Sequence, residues 1–121
     1  MTAMSKMDSN TVIQELKQRL REFVRERDWE KFHNPKNIAE SICIEAGELM
    51  DVFQWKSEQE VANWVLEQEK KERVAEELAD VIIYSLNMAN SMDIDVAQAV
   101  LSKMEQNEKK YPADRYYGRA D

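Results

Sequence analysis

The chain has 121 residues, 34% of them charged, and a formal net charge of −7 at neutral pH. One ordinary domain fits that length, and an acidic surface disfavours DNA or RNA, whose phosphates call for a basic one. No stretch approaches the ~20 apolar residues of a membrane span. With 2 Gly and 2 Pro, and abundant Glu, Lys, Gln, Leu and Ala, the composition points to helices throughout.

In chain order, residues Met1 to Met7 are expected to fray, and 1–8 to be flexible. The start shows no basic-then-apolar leader. Val12, Ile13, Leu16, Leu20, Phe23 and Val24 recur at helical spacing and predict a first helix over about Thr11 to Arg27. Asp28 to Asn34 reads as a connection. Asn34-Pro35 is a helix-start signal, an N-cap residue followed by proline in the first turn, and the second helix is expected to reach about Trp55. Ser57-Glu58-Gln59-Glu60 has capping-box form and opens a third helix. A fourth is expected from about Lys71 to Met92, with its continuity with the third left open. Asp95 is an N-cap for a fifth, which Tyr111-Pro112 ends. The tail, 113–121, is expected to be flexible and without regular structure. The fold class is therefore all-α, a four- to five-helix bundle forming one domain over 1–121. Helix four carries apolar Ile83 and Leu86 outside its main stripe, so a dimer or a dimer of dimers is expected. Cys43 is the only cysteine; it cannot form an internal disulfide and suits a reducing cytoplasm.

The chemistry is carried by acidic residues in apolar surroundings. On a wheel of about 100° per residue, Ile38, Ile42, Leu49, Val52 and Phe53 share one stripe of the second helix. Glu45 falls in its middle and Glu48 at its edge. A buried carboxylate needs a proton, a metal or a cationic partner such as a Lys or Arg from another helix. In the fourth helix, Glu77, Asp80, Tyr84 and Asn87 form a column at spacings of three, four and three, flanking the stripe of Val74, Leu78, Val81, Ser85, Met88 and Met92. Pairs such as Glu69/Glu72 and Glu105/Glu108 have the same spacing but polar surroundings, and read as solvated faces. Two acidic pairs facing one another cannot stay ionised without cations, and oxygen-only ligation suits Mg²⁺ or Mn²⁺. Glu30-Lys31-Phe32-His33 has the form of a di-iron motif, but His33 is the only histidine and lies in a connection. The same scarcity disfavours a Ser-His-Asp triad and a zinc site. Two glycines are too few for a glycine-rich phosphate loop.

The order of these segments resembles a known family. Arg27-Asp28-Trp29-Glu30-Lys31-Phe32-His33-Asn34-Pro35-Lys36-Asn37 is followed by Glu45-Ala46-Gly47-Glu48-Leu49, by Val52-Phe53-Gln54-Trp55, and by Glu76-Glu77-Leu78-Ala79-Asp80-Val81. Over about residues 11 to 112 this is similar to the MazG-like, all-α nucleoside triphosphate pyrophosphatases, and within them to the dCTP pyrophosphatase type. The family's metal motif is written E-E-x-x-E followed by E-x-x-D. Here Ile44 occupies its first position, leaving Glu45, Glu48, Glu77 and Asp80 as ligands.

The resemblance implies a Mg²⁺-dependent hydrolase, with Mn²⁺ as a substitute. It would convert dCTP or a related or modified deoxynucleotide to the monophosphate and pyrophosphate, with Glu45 or Glu48 acting on the attacking water. It also implies that each pocket is completed by a neighbouring subunit. Base contacts fall on Trp29, His33, Trp55 and Tyr84, against ordinary packing for the two tryptophans. Phosphate contacts fall on Lys103, Asn107 and Lys110, which share one face of the last helix and otherwise read as a solvated strip; Lys36 is a weaker candidate. A non-catalytic helical interaction module and a same-fold enzyme for dUTP or a phosphoribosyl metabolite are the competing readings.

Overall fold

The computed structural model describes residues 5–121; the opening residues 1–4, on which part of the expected fraying falls, lie outside it. Before the first helix, Met7 and Asn10 close a turn: the Met7 N–H donates to Asn10 Oδ1 at 2.7 Å and the Asn10 N–H to the Met7 carbonyl at 3.0 Å. Six helices and a single 3₁₀ turn follow: α1 (Ile13–Glu26), the 3₁₀ turn (Glu30–Phe32), α2 (Pro35–Phe53), α3 (Glu58–Trp64), α4 (Gln68–Met92), α5 (Val96–Lys110) and α6 (Ala113–Tyr116). No strand occurs among the described residues, so the all-α expectation holds.

Side-chain caps set several boundaries. The Asn34 side chain accepts from the Asn37 N–H at 2.9 Å, with Pro35 opening α2. Ser57 Oγ accepts from the Glu60 N–H at 3.2 Å, and Asp95 Oδ1 from the Gln98 N–H at 2.9 Å. Each satisfies a donor that a helix start leaves orphaned.

Elsewhere the boundaries differ from expectation. α2 stops at Phe53: the backbone is already extended at Gln54, φ −59° and ψ 141°, and turns left-handed at Trp55, φ 71°. α3 and α4 are separate, divided at 65–67, and α4 begins at Gln68 rather than Lys71. The tail after Pro112 is not without regular structure: it turns into α6, where Tyr116 meets Tyr111 edge to face at 5.2 Å. With α3 and α4 apart the expected count is five, and α6 raises it to six.

The long α4 is the spine. α2 packs along it most extensively and α1 along another side. α1 runs antiparallel to α4. Near the start of α1, Lys17 Nζ donates to the Ile94 carbonyl at 2.8 Å, and Asn90 Nδ2 donates to the Lys17 carbonyl at 3.0 Å. Towards the other end of α1, Phe23 and Val24 face Ile83 and Asn87 across a cavity. Ser85, in the apolar stripe of α4, satisfies its hydroxyl on the Val81 carbonyl one turn back.

The buried core is small for this length. It comprises Val24, Ile38, Val52, Trp64, Leu86 and Ala89, with Trp64 edge-on to Phe53 at 5.3 Å. Leu86, expected beside the main stripe of α4, is buried, whereas Leu78 and Met92 within that stripe are largely exposed. The reason is that α4 has partners on two sides, so its burial spreads over more than one stripe. Ile44, Met50, Leu66, Leu101 and Met104 are also exposed.

Candidate metal centre and nucleotide cavity

Glu45 and Glu48 lie three residues apart on α2 and therefore face the same way. Against them stands Glu77 of α4: one carboxylate oxygen from each of the three lies within 4.8 Å of the others. Glu45 Oε2 and Glu77 Oε2 are buried with no hydrogen-bond partner. None of these groups, nor Asp80, joins an ion pair among the described residues. A cationic side chain was one of the partners the sequence allowed Glu45; the structure supplies none.

The Glu45 carboxyl is instead pushed above the usual carboxylate range. Burial is the main cause, followed by the hydrogen bond it forms with Glu48 when protonated and by the charges of Glu48, Asp80 and Glu77. Three convergent carboxylates, two of which carry a buried, unpaired oxygen, make a donor set suited to a hard divalent cation. Ile44 is largely exposed and adds no donor.

Asp80, the fourth expected ligand, lies outside this three-residue group but close enough for its charge to act on Glu45, and it lines a cavity of about 640 Å³ between α1, the 3₁₀ turn and α4. That volume is in the range of small-molecule sites. Trp29, His33, Tyr84 and Asn87 share its wall with apolar residues of α1 and α4. Trp29 is half-exposed and braced edge-on against Phe23 at 5.8 Å. So three of the four residues expected to contact a base share one cavity with an acidic residue of the expected metal set.

The remaining candidates lie elsewhere in this chain. Trp55 is 91% exposed, on a left-handed backbone that is costly for a bulky residue. The packing alternative for Trp55 thus finds no support within the chain. Lys103, Asn107 and Lys110 are all exposed on α5; Lys110 Nζ stands over the Tyr111 ring at 5.3 Å. Lys36 pairs with Glu40 at 3.1 Å on the exposed side of α2.

A second, smaller cavity of about 340 Å³ borders the first, with Val24, His33 and Asn87 common to both. Asn87 belongs to the α4 column visible in the sequence but was not among the expected site residues. Arg21, which lines the smaller cavity, had no signal beyond its place in an amphipathic helix.

The chain belongs to the MazG-like family, whose model matches residues 40–120. That span holds the whole carboxylate cluster but not Trp29 or His33. The dCTP pyrophosphatase 1 of Mus musculus is 41% identical over 99 residues, covering 82% of this chain and 58% of that protein. The protein of the same name from Homo sapiens is 42% identical over 92 residues, covering 76% of this chain and 54% of that one. This chain thus spans little more than half the length of these curated relatives. The crystal structure of a pyrophosphatase from Archaeoglobus fulgidus superimposes with a TM-score of 0.76 at 41% identity, covering 92% of this chain and 99% of that one.

Proposed function

We propose that residues 1–121 act as one domain that hydrolyses a nucleoside triphosphate to the monophosphate and pyrophosphate, with dCTP or a related or modified deoxynucleotide as substrate. The observation that carries this reading is the junction of two features at Asp80: a cluster of unpaired carboxylates on one side and an aromatic-walled cavity on the other. Kinship to proteins named dCTP pyrophosphatase supports the substrate class.

The cofactor we propose is Mg²⁺, with Mn²⁺ as a substitute, held by Glu45, Glu48, Glu77 and Asp80. Such a cation supplies neutralisation of the triphosphate and a more acidic water. Glu45 or Glu48 orients or deprotonates the water that attacks phosphorus, each being within reach of the other's proton. Trp29 and Tyr84 offer flat faces to the base, and His33 a polar edge at the mouth of the 3₁₀ turn. Hydrolysis is completed by expulsion of a phosphoanhydride oxygen in line with the entering water.

We further infer a homo-oligomer, a dimer or a dimer of dimers, on the exposed apolar residues. In it Trp55, Lys103, Asn107 and Lys110 complete a neighbouring chain's pocket. Neither a nucleic-acid nor a membrane partner enters this reading: the charge is −7, and no helix is long and apolar enough to cross a membrane. A free Cys43 is consistent with work in the cytoplasm.

Pyrophosphate release from the eight standard and several modified triphosphates, with and without Mg²⁺, tests the proposal. Cation-dependent release greatest for dCTP or a modified relative is expected. Release from dUTP alone would favour the dUTP reading, and none from any triphosphate would leave the interaction module.

A further inference from the structure

We propose that Asn87 decides which base the cavity accepts, and that it selects a pyrimidine carrying an amino group beside a ring acceptor, as cytosine does. This inference rests on the reading of the chain as a triphosphate hydrolase.

Asn87 is 7% exposed, and no described residue hydrogen-bonds its side chain. Its amide oxygen and nitrogen therefore stay open to solvent in a residue that is otherwise packed. The residue sits on the most deeply packed stretch of α4, beside Leu86 and close to Ala89. It lines both the larger cavity and the smaller, polar one, so its free donor and acceptor face space rather than packed side chains.

Its height on the helix fits a nucleotide. Asp80, Tyr84 and Asn87 follow one another along one side of α4, and seven residues at 1.5 Å each separate Asp80 from Asn87 by about 10 Å along the axis. A nucleotide whose phosphates meet the carboxylate end at Asp80 directs its base towards Asn87, in the cavity that Trp29 and His33 also line.

The chemistry favours an amino-bearing edge. An asparagine amide offers one acceptor and two donors, so Asn87 alone pairs with cytosine's donor–acceptor edge or, turned over, with uracil's reversed edge. Asn90 breaks that symmetry. Its Nδ2 is committed to the Lys17 carbonyl, which leaves Oδ1 as a buried acceptor without a partner. Asn90 lines the smaller cavity together with Asn87. Oδ1 is itself closed to solvent, so it acts through its field: an uncompensated negative dipole end one helical turn from Asn87 favours an exocyclic amino group on this side and disfavours a carbonyl oxygen.

Base choice is read from kcat/KM for dCTP, dUTP and dTTP with wild type, Asn87→Leu and Asn87→Asp, with circular dichroism as the folding control. Asn87→Leu removes both donor and acceptor at similar volume. It is expected to lower the dCTP value roughly ten- to hundredfold and the dUTP value less, as for loss of a paired amide contact to a base, so that the ratio between them narrows. Asn87→Asp keeps shape and acceptors, loses the donor, and narrows the ratio less; it carries the test if the leucine variant does not fold. An equal fall for all three nucleotides, or an unchanged ratio, overturns the proposal. Calorimetric binding of dCMP and dUMP to the same proteins reads base choice without turnover. A protein that hydrolyses nothing yet prefers dCMP in an Asn87-dependent way sinks the hydrolase reading and keeps this one; equal binding of the two monophosphates sinks this one.

Discussion

α4 and α5 both carry a polar column at the same three-and-four spacing, Glu77–Asp80–Tyr84–Asn87 on one and Lys103–Asn107–Lys110 on the other, yet the two columns live in different surroundings. The first is half-buried or buried throughout, with α2 and α1 packed along its helix. Every member of the second is exposed, and no other helix packs extensively on α5. Spacing fixes that residues share a face. What that face can do depends on whether another element covers it, because a carboxylate or amide acquires unusual chemistry only when water is removed. The α4 column gains that from its own chain. The α5 column stays an exposed strip with two lysines unless a second chain meets it.

The sharpest way to break this contrast is at Glu77. Glu77→Gln keeps shape and removes one charge from the cluster. Loss of a group this central is expected to lower kcat/KM on the order of a hundred- to a thousandfold or more, equally for every base. The variant should also lose the thermal stabilisation that added Mg²⁺ gives the wild type, as chelation of divalent ions should. Relief of like-charge repulsion should leave it at least as stable as wild type without cation. Near-normal turnover at saturating Mg²⁺ would show that the cluster is not the metal centre.

A middle-sized effect separates the two tryptophans. A base stacked on an indole contributes ~1–3 kcal/mol, so removal of either ring should raise KM by roughly five- to a hundredfold if it stacks. The costs to the fold differ. Trp29 is braced by Phe23, so Trp29→Ala should also lower the melting temperature. Trp55 projects into solvent within the chain, and Trp55→Ala should leave the isolated fold intact while changing the ranking among bases. If Trp55→Ala slows every triphosphate equally, its role lies in assembly and not in base recognition.

How much of this was legible in the sequence follows from the same contrast. The caps at Asn34, Ser57 and Asp95 were legible because each depends on one side chain and the amide two or three residues on. The carboxylates of α2 were legible because Glu45 interrupts an otherwise apolar stripe. The end of α2 was not, since the backbone turns extended at Gln54 and left-handed at Trp55 without a proline or glycine to announce it. Asn87 was visible as a member of a column but not as a site residue: its lack of a partner depends on α1, whose distance in the chain no periodicity reports. The position of α5 was likewise hidden, for a helix with alternating polar and apolar residues looks the same whether its cover comes from its own chain or from another.

The smallest effect tests that last point. If a neighbouring chain brings α5 to a triphosphate, Lys110→Ala removes one charged contact, and kcat/KM should fall about tenfold, by less as salt rises, since an exposed lysine is screened. Its cation–π contact with Tyr111 is too weak at an exposed site to make the fold depend on it, so circular dichroism should not change. The same loss should appear in the wild type on dilution below the concentration at which light scattering shows the assembly to dissociate, because the pocket then lacks the neighbour's α5. A chain that stays monomeric at micromolar concentration, with Lys110→Ala as active as wild type, would make the α5 column a solvated face after all, and the phosphate contacts would have to come from the α1 side, where Arg19 lines the larger cavity and Arg21 the smaller and neither has an ionic partner among the described residues.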